Sequence, residues 1–180
     1  AEARRFAQSW IERRHEFLAT ARMAGSPLYV LDEAAILRRA GEFLATFRAE
    51  ASDCRAYFAI KSNNCPDVAA AMLKAGLGLD VSSGLELEMA LSLGAQDIVF
   101  SGPAKTGAEL ALAAAHADRV TVLMDSFAEL DRLQAAAREA GATTRAGLRL
   151  TTDERGLWRK FGLPLADMPA FFAAAMQRPN

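Results

Sequence analysis

Lys61 has the most chemistry within reach of its neighbours. It ends the run Ala56-Tyr57-Phe58-Ala59-Ile60 and precedes Ser62-Asn63-Asn64-Cys65-Pro66. The apolar run predicts a buried strand, and the Asn-Asn-Cys-Pro stretch predicts the turn behind it. An amine at the C-terminal end of a core strand lies on the edge where α/β folds bind ligands. Half-desolvated there, it is a nucleophile able to form a Schiff base with a carbonyl compound. Snorkelling to solvent is the plainer fate of a strand-end lysine. Three more residues share that edge. Asp80 is an acid inside the apolar strand Gly78–Val81, and helix capping does not account for it. Glu86 follows Ser82-Ser83-Gly84 and reads equally as the third-position partner of a Ser83 cap. Arg149 lies between Leu148 and Leu150, so period-2 alternation points it away from both. Within a barrel wall it needs an anion, for which Asp80, Glu86 and a ligand oxygen are candidates.

Alternating strands and helices must hold these groups. The first segment, about Ala3 to Met23, predicts a helix with Phe6, Trp10, Phe17 and Leu18 on or near one face, stopped by Gly25-Ser26-Pro27. Leu28–Leu31 predicts a short strand, and Asp32 a cap for a helix from Glu33 to about Arg48. Five strands then follow, over residues 55–60, 78–81, 97–100, 119–123 and 145–150. Between them lie helices at 66–75, 84–93, 107–115 and 127–140. Gly76, Gly94 and Gly141 stand where helices end, and Ser126 where one starts. A further helix is expected from Leu165 to Met176. A step of about 20–25 residues suits βα units around a parallel sheet, near the lower end of what a (β/α)₈ barrel uses. An open doubly wound sheet is the alternative, although its Gly-x-Gly-x-x-Gly first turn is missing. Five barrel-type strands in 180 residues fall short of the roughly 250 of a full barrel. The expectation is a fragment of a longer protein, with an open partial barrel or a split assembly as alternatives.

Other features narrow the function. The chain is 52% hydrophobic and 24% charged with a formal net charge of −1, and its cations are dispersed. That composition argues against a nucleic-acid or membrane surface. Cys54 and Cys65 lack metal-type spacing, and reduced thiols in a cytoplasmic protein are expected. Cys65 lies close enough to Lys61 to line the same pocket, but a buried small hydrophobe is the simpler role. His15 and His116 form no catalytic or metal constellation with their neighbours. Ser101-Gly102-Pro103-Ala104-Lys105-Thr106 suggests a phosphate loop only superficially, because it lacks the Walker spacing. Thr106 reads as a cap, and Lys105 is either structural or pocket-facing.

Taken together the segments resemble the fold-type III pyridoxal-phosphate decarboxylases, which act on diaminopimelate, ornithine and arginine and are distantly akin to alanine racemase. The matching stretches are Ser26–Val30, Tyr57–Asn63, Gly78–Glu86, Ser101–Thr106, Asp125-Ser126, Leu148–Leu150 and Lys160–Gly162. The resemblance implies an α/β fold, a partial TIM barrel of the alanine racemase-like type with about five of eight βα units. Residues 1–25 would be an N-terminal helix and 26–180 the first part of the barrel. The rest of the barrel and a C-terminal β domain would lie outside this chain. The resemblance makes Lys61 the lysine that holds pyridoxal 5'-phosphate as an internal aldimine. It places Asp80, Glu86 and Arg149 near the cofactor and requires no metal. It implies amino-acid decarboxylation in a cytoplasmic homodimer. The 180-residue chain alone is expected to bind the cofactor weakly and to decarboxylate nothing. An amino-acid racemase, or a non-catalytic relative that binds the cofactor, is the competing reading. The short stretch at 151–159 departs from the longer form of many diaminopimelate decarboxylases.

Overall fold

The computed structural model describes residues 2–151, 155 and 160–180. The chain divides into two compact units, Ala1–Glu33 and Ala34–Asn180. The first holds α1 (Glu2–Glu12) and α2 (Arg14–Ala24). The single helix expected from Ala3 to Met23 is interrupted at Arg13, whose φ of −95° and ψ of 9° depart from helical values. The Arg13 guanidinium binds Glu16 and Asp32, and Trp10 stacks on Phe17 across the break at 4.7 Å. Residues 28–31 do not form the expected strand; Tyr29, Val30 and Leu31 are exposed. A strand exists through its ladder, and no described residue pairs with this segment.

The second unit opens with α3 (Glu33–Glu50), all but its first residue, and then alternates. The order is β1 (Tyr57–Ala59), α4 (Pro66–Lys74), β2 (Gly78–Val81), α5 (Gly84–Ser92), β3 (Ile98–Phe100), α6 (Gly107–Ala115), β4 (Val120–Met124), α7 (Phe127–Ala140) and β5 (Arg145–Leu148). The five strands are parallel and lie in the order β1-β2-β3-β4-β5. A doubly wound sheet reverses its strand order at a switch point. Here the order never reverses, so right-handed crossovers put every connecting helix on one face. This is the wall of a partial (β/α) barrel.

The register assigns the faces. Phe58, Leu79, Ile98 and Val120 pair across the sheet, as do Val81, Phe100 and Val122. These residues, with Ala69, Leu87, Ala90, Leu110 and Leu133 of the helices, form the hydrophobic core. On the other face Ala59, Asp80, Val99 and Thr121 pair and are only half-buried. That second face is the concave inner face of the barrel wall.

The fifth strand is shorter than expected. β5 ends at Leu148, and β6 (Leu150–Thr151) pairs instead with β7 (Leu163–Pro164). Arg149 is the branch point: its N–H donates to Met124 O at 2.9 Å, and its carbonyl accepts from Leu163 N at 2.9 Å. The expected last helix opens with a 3₁₀ turn, Leu165–Asp167, before α8 (Met168–Met176). The 151–159 stretch lies largely outside the described residues.

Candidate functional site at the C-terminal rim

The sequence-predicted residues lie toward the C-terminal rim of the sheet: Lys61 and Arg149 just beyond β1 and β5, Asp80 within β2 and Glu86 in the first turn of α5. Ala59 pairs with Asp80, so Lys61 leaves β1 two residues beyond a direct neighbour of that acid. Lys61 lies in a 3₁₀ turn, Ile60–Ser62, and is exposed, not half-desolvated as expected. The reason is topological: β1 is an edge of the five-stranded sheet, and no described strand flanks it on the other side. The turn behind it is fixed locally, since Cys65 N donates to Asn63 Oδ1 at 3.1 Å and Pro66 starts α4. Cys65 is half-buried at that helix start, and both cysteines are free.

Asp80 is half-buried on the inner face, and its Oδ1 accepts a hydrogen bond from the Ser101 hydroxyl. In sequence Ser101 is only part of a loop motif; nothing in the spacing ties it to Asp80. Gly102 beside it is required by close packing. A Cβ there would lie 2.0 Å from Ser82 O, so the loops after β2 and β3 touch backbone to backbone.

Capping holds Glu86. Ser83 Oγ accepts from Glu86 N at 3.3 Å, and Glu86 Oε2 accepts from Ser82 N at 2.6 Å. The same spacing recurs at Thr106/Glu109 and Ser126/Glu129, with cap bonds of 3.3 and 3.2 Å. The two later glutamates also reach the preceding loop. Glu109 Oε1 accepts from Gly84 N at 2.6 Å, and Glu129 Oε1 accepts from Lys105 N at 3.1 Å. The rim is therefore laced from one βα turn to the next. Sequence reasoning misses Glu109 and Glu129, although the Ser/Thr-x-x-Glu spacing marks both.

Lys105 proves structural. Its side chain and that of Glu129 are 0% and 1% exposed, with Nζ–Oε2 at 3.4 Å. Nζ also donates to Leu123 O at 2.5 Å and lies 5.1 Å from the Phe100 ring. Burial pushes the Lys105 ammonium pKa down, against the attraction of Glu129.

Arg149 has the anion that its place in the wall requires, but it is neither Asp80 nor Glu86, two of the candidates. Its partner is Asp125 at the end of β4, with Nε–Oδ1 at 3.9 Å. β5 pairs directly with β4, whereas β2 is two strands further in. The guanidinium lies 4.6 Å from the Phe161 ring, and Lys160 Nζ lies 5.1 Å from the same ring. No group of three or more His, Cys, Asp or Glu suited to a metal exists among the described residues. No described helix is long and apolar enough to cross a membrane. A cavity of about 550 Å³ lies between β5, α7 and α8, lined largely by apolar side chains such as Met124, Leu133, Leu148 and Phe171. It is on the helix side of the sheet, and neither Lys61 nor Asp80 lines it.

Comparison with known proteins matches this arrangement to a family. A family model described as pyridoxal-dependent decarboxylase, pyridoxal binding domain, covers residues 33–179. Diaminopimelate decarboxylase of Neisseria meningitidis is 34% identical over 168 residues, 87% of this chain and 41% of that protein. Ornithine decarboxylase of Leishmania donovani is 32% identical over 156 residues, 84% of this chain and 21% of the relative. The chain thus spans about two fifths or less of the curated relatives named here. The structure of diaminopimelate decarboxylase from M. jannaschii, in co-complex with L-lysine, superposes with a TM-score of 0.75 at 26% identity, over 89% of this chain and 41% of that one. The Helicobacter pylori enzyme superposes at 0.77 with 22% identity, over 91% and 44%, a likeness of fold. With an ordered half-barrel, a rim lysine and a family model over most of its length, this chain belongs to the pyridoxal-dependent decarboxylases, as their pyridoxal-binding domain.

Proposed function

We propose that the full-length protein is a carboxy-lyase that removes the α-carboxyl group of a diaminopimelate-, ornithine- or arginine-like amino acid. Pyridoxal phosphate, the cofactor of the family, would be held covalently by Lys61. The observation that carries this reading is the exposed Lys61 amine at the C-terminal rim, one strand from Asp80, within a domain of this family.

The donor set fits the cofactor. Lys61 supplies an accessible primary amine for its carbonyl carbon. Arg149 supplies a guanidinium for anionic oxygens. Asp80, steadied by Ser101, supplies an acceptor on the inner face. Glu86 would contribute beside it, its carboxylate already anchored to the Ser82 turn. When bound, pyridoxal phosphate draws electron density from the α-carbon and so eases loss of carbon dioxide. The protein orients the reactants: the laced rim turns hold Ser82, Gly84 and Asp125 in place before any ligand arrives. A cytoplasmic homodimer belongs to the same reading. The test is carbon dioxide release by the full-length protein from diaminopimelate, ornithine, arginine and lysine, each with added pyridoxal phosphate. Turnover of one of them is expected; turnover of none, with the cofactor bound, contradicts the proposal.

A further inference from the structure

We infer that Asp125 is a positioning residue, a buried carboxylate that aims the Arg149 guanidinium at an oxyanion of the bound ligand. The inference rests on the proposed placement of Arg149 at the ligand. Asp125 is unusual in this structure. Its side chain is 13% exposed, and both carboxylate oxygens are buried with no hydrogen-bond donor. A buried carboxylate without donors is costly, and a fold keeps one where its charge is needed. The nearest opposite charge is Arg149 Nε at 3.9 Å, an ion pair without a hydrogen bond.

Both partners are clamped by their backbones. Asp125 N donates to Glu129 Oε2 at 2.8 Å, and the buried Lys105 ammonium donates to the same oxygen at 3.4 Å. Arg149 N donates to Met124 O, and Arg149 O accepts from Leu163 N. Gly162, at φ +77°, packs so closely that a Cβ would lie 2.7 Å from Arg149 O. The Phe161 ring lies 4.6 Å from the guanidinium. Among the described residues the terminal guanidinium nitrogens make no hydrogen bond. A cation fixed behind by an acid and beside an aromatic ring, with its outer N–H groups unspent, suits bidentate binding of a carboxylate or phosphate.

The experiment compares the full-length protein with its Asp125→Asn and Arg149→Lys variants. Asparagine keeps the shape and removes a desolvated charge, so Asp125→Asn should leave the thermal midpoint unchanged or raised. Ligand affinity should still fall about tenfold to a hundredfold, as Arg149→Lys also does. The double variant should lose no more than the worse single one. Titration with pyridoxal phosphate and with pyridoxal separates the sources. A loss confined to the phosphorylated form assigns the phosphate, and a loss seen only in the KM of the amino acid assigns its carboxylate. Independently of any ligand, NMR relaxation of the arginine Nε–H groups should show an ordered Arg149 signal whose order falls in Asp125→Asn. An unchanged Arg149 signal overturns the inference. So does a midpoint that falls in proportion to affinity, which marks a merely structural acid. Failure of the wild-type protein to bind pyridoxal phosphate contradicts the proposed function instead, and the NMR comparison still decides the role of Asp125.

Discussion

At the residue scale, a polar side chain among apolar ones is the legible signal of a candidate site. Asp80 in β2 and Arg149 beyond β5 stood out by that rule, and both lie on the rim. Their partners were not legible. Ser101 meets Asp80 and Asp125 meets Arg149 only because neighbouring strands set their ends side by side. Lys105 shows the limit of the rule in reverse, since a lysine in a loop motif turns out to be sealed beneath the rim with Glu129. Removing one member of such a pair strands the other charge in the core. Glu129→Leu should therefore destabilise the protein by about 3–5 kcal/mol, and Lys105→Met with Glu129→Leu should recover much of that loss. Chemical denaturation of the two variants beside wild type checks both statements.

At the scale of elements, strand and helix positions were legible because period and punctuation agreed. Gly78–Val81, Gly107–Ala115 and Phe127–Ala140 fall where alternation, caps and terminal glycines put them. Two misses share a cause: long-range pairing, present or absent, decides the element. Residues 28–31 carry strand propensity without a ladder, and Leu150 leaves β5 because Leu163 captures Arg149 O. The lacing glutamates belong to this scale too. Burial pushes the Glu109 pKa up, but hydrogen bonds from Thr106 and Gly84 and the charge of Lys105 outweigh it, so the net shift is downward. With a folded pKa below the unfolded one, this carboxylate stabilises the fold above about pH 4.3, and its contribution is lost as pH falls through the folded value. Glu109→Gln should then be less stable than wild type at pH 7, and the gap should close in acid. Denaturation midpoints between pH 3 and pH 7 (roughly the span over which carboxylates titrate) test this; a constant gap contradicts it.

At the scale of the whole molecule, five parallel strands make a wall with two edges, β1 and β5. Lys61 stands on one edge and Arg149 beside the other, four strand spacings or about 19 Å apart along the sheet. A ligand gripped at both ends needs the wall to curve and its open side to be closed, and the chain spans about two fifths of the decarboxylases it matches. The 180-residue chain alone should therefore bind pyridoxal phosphate more weakly than the full-length protein and release no carbon dioxide. Equal affinities in parallel titrations would show that this half-barrel is sufficient for binding. The central claim concerns Lys61, and borohydride reduction of the full-length protein with pyridoxal phosphate, followed by peptide mass spectrometry, tests it most directly. The account predicts a reduced pyridoxyl adduct on the peptide bearing Lys61, and none on that peptide in Lys61→Ala. An adduct on another lysine alone, with Lys61 unmodified, would contradict it.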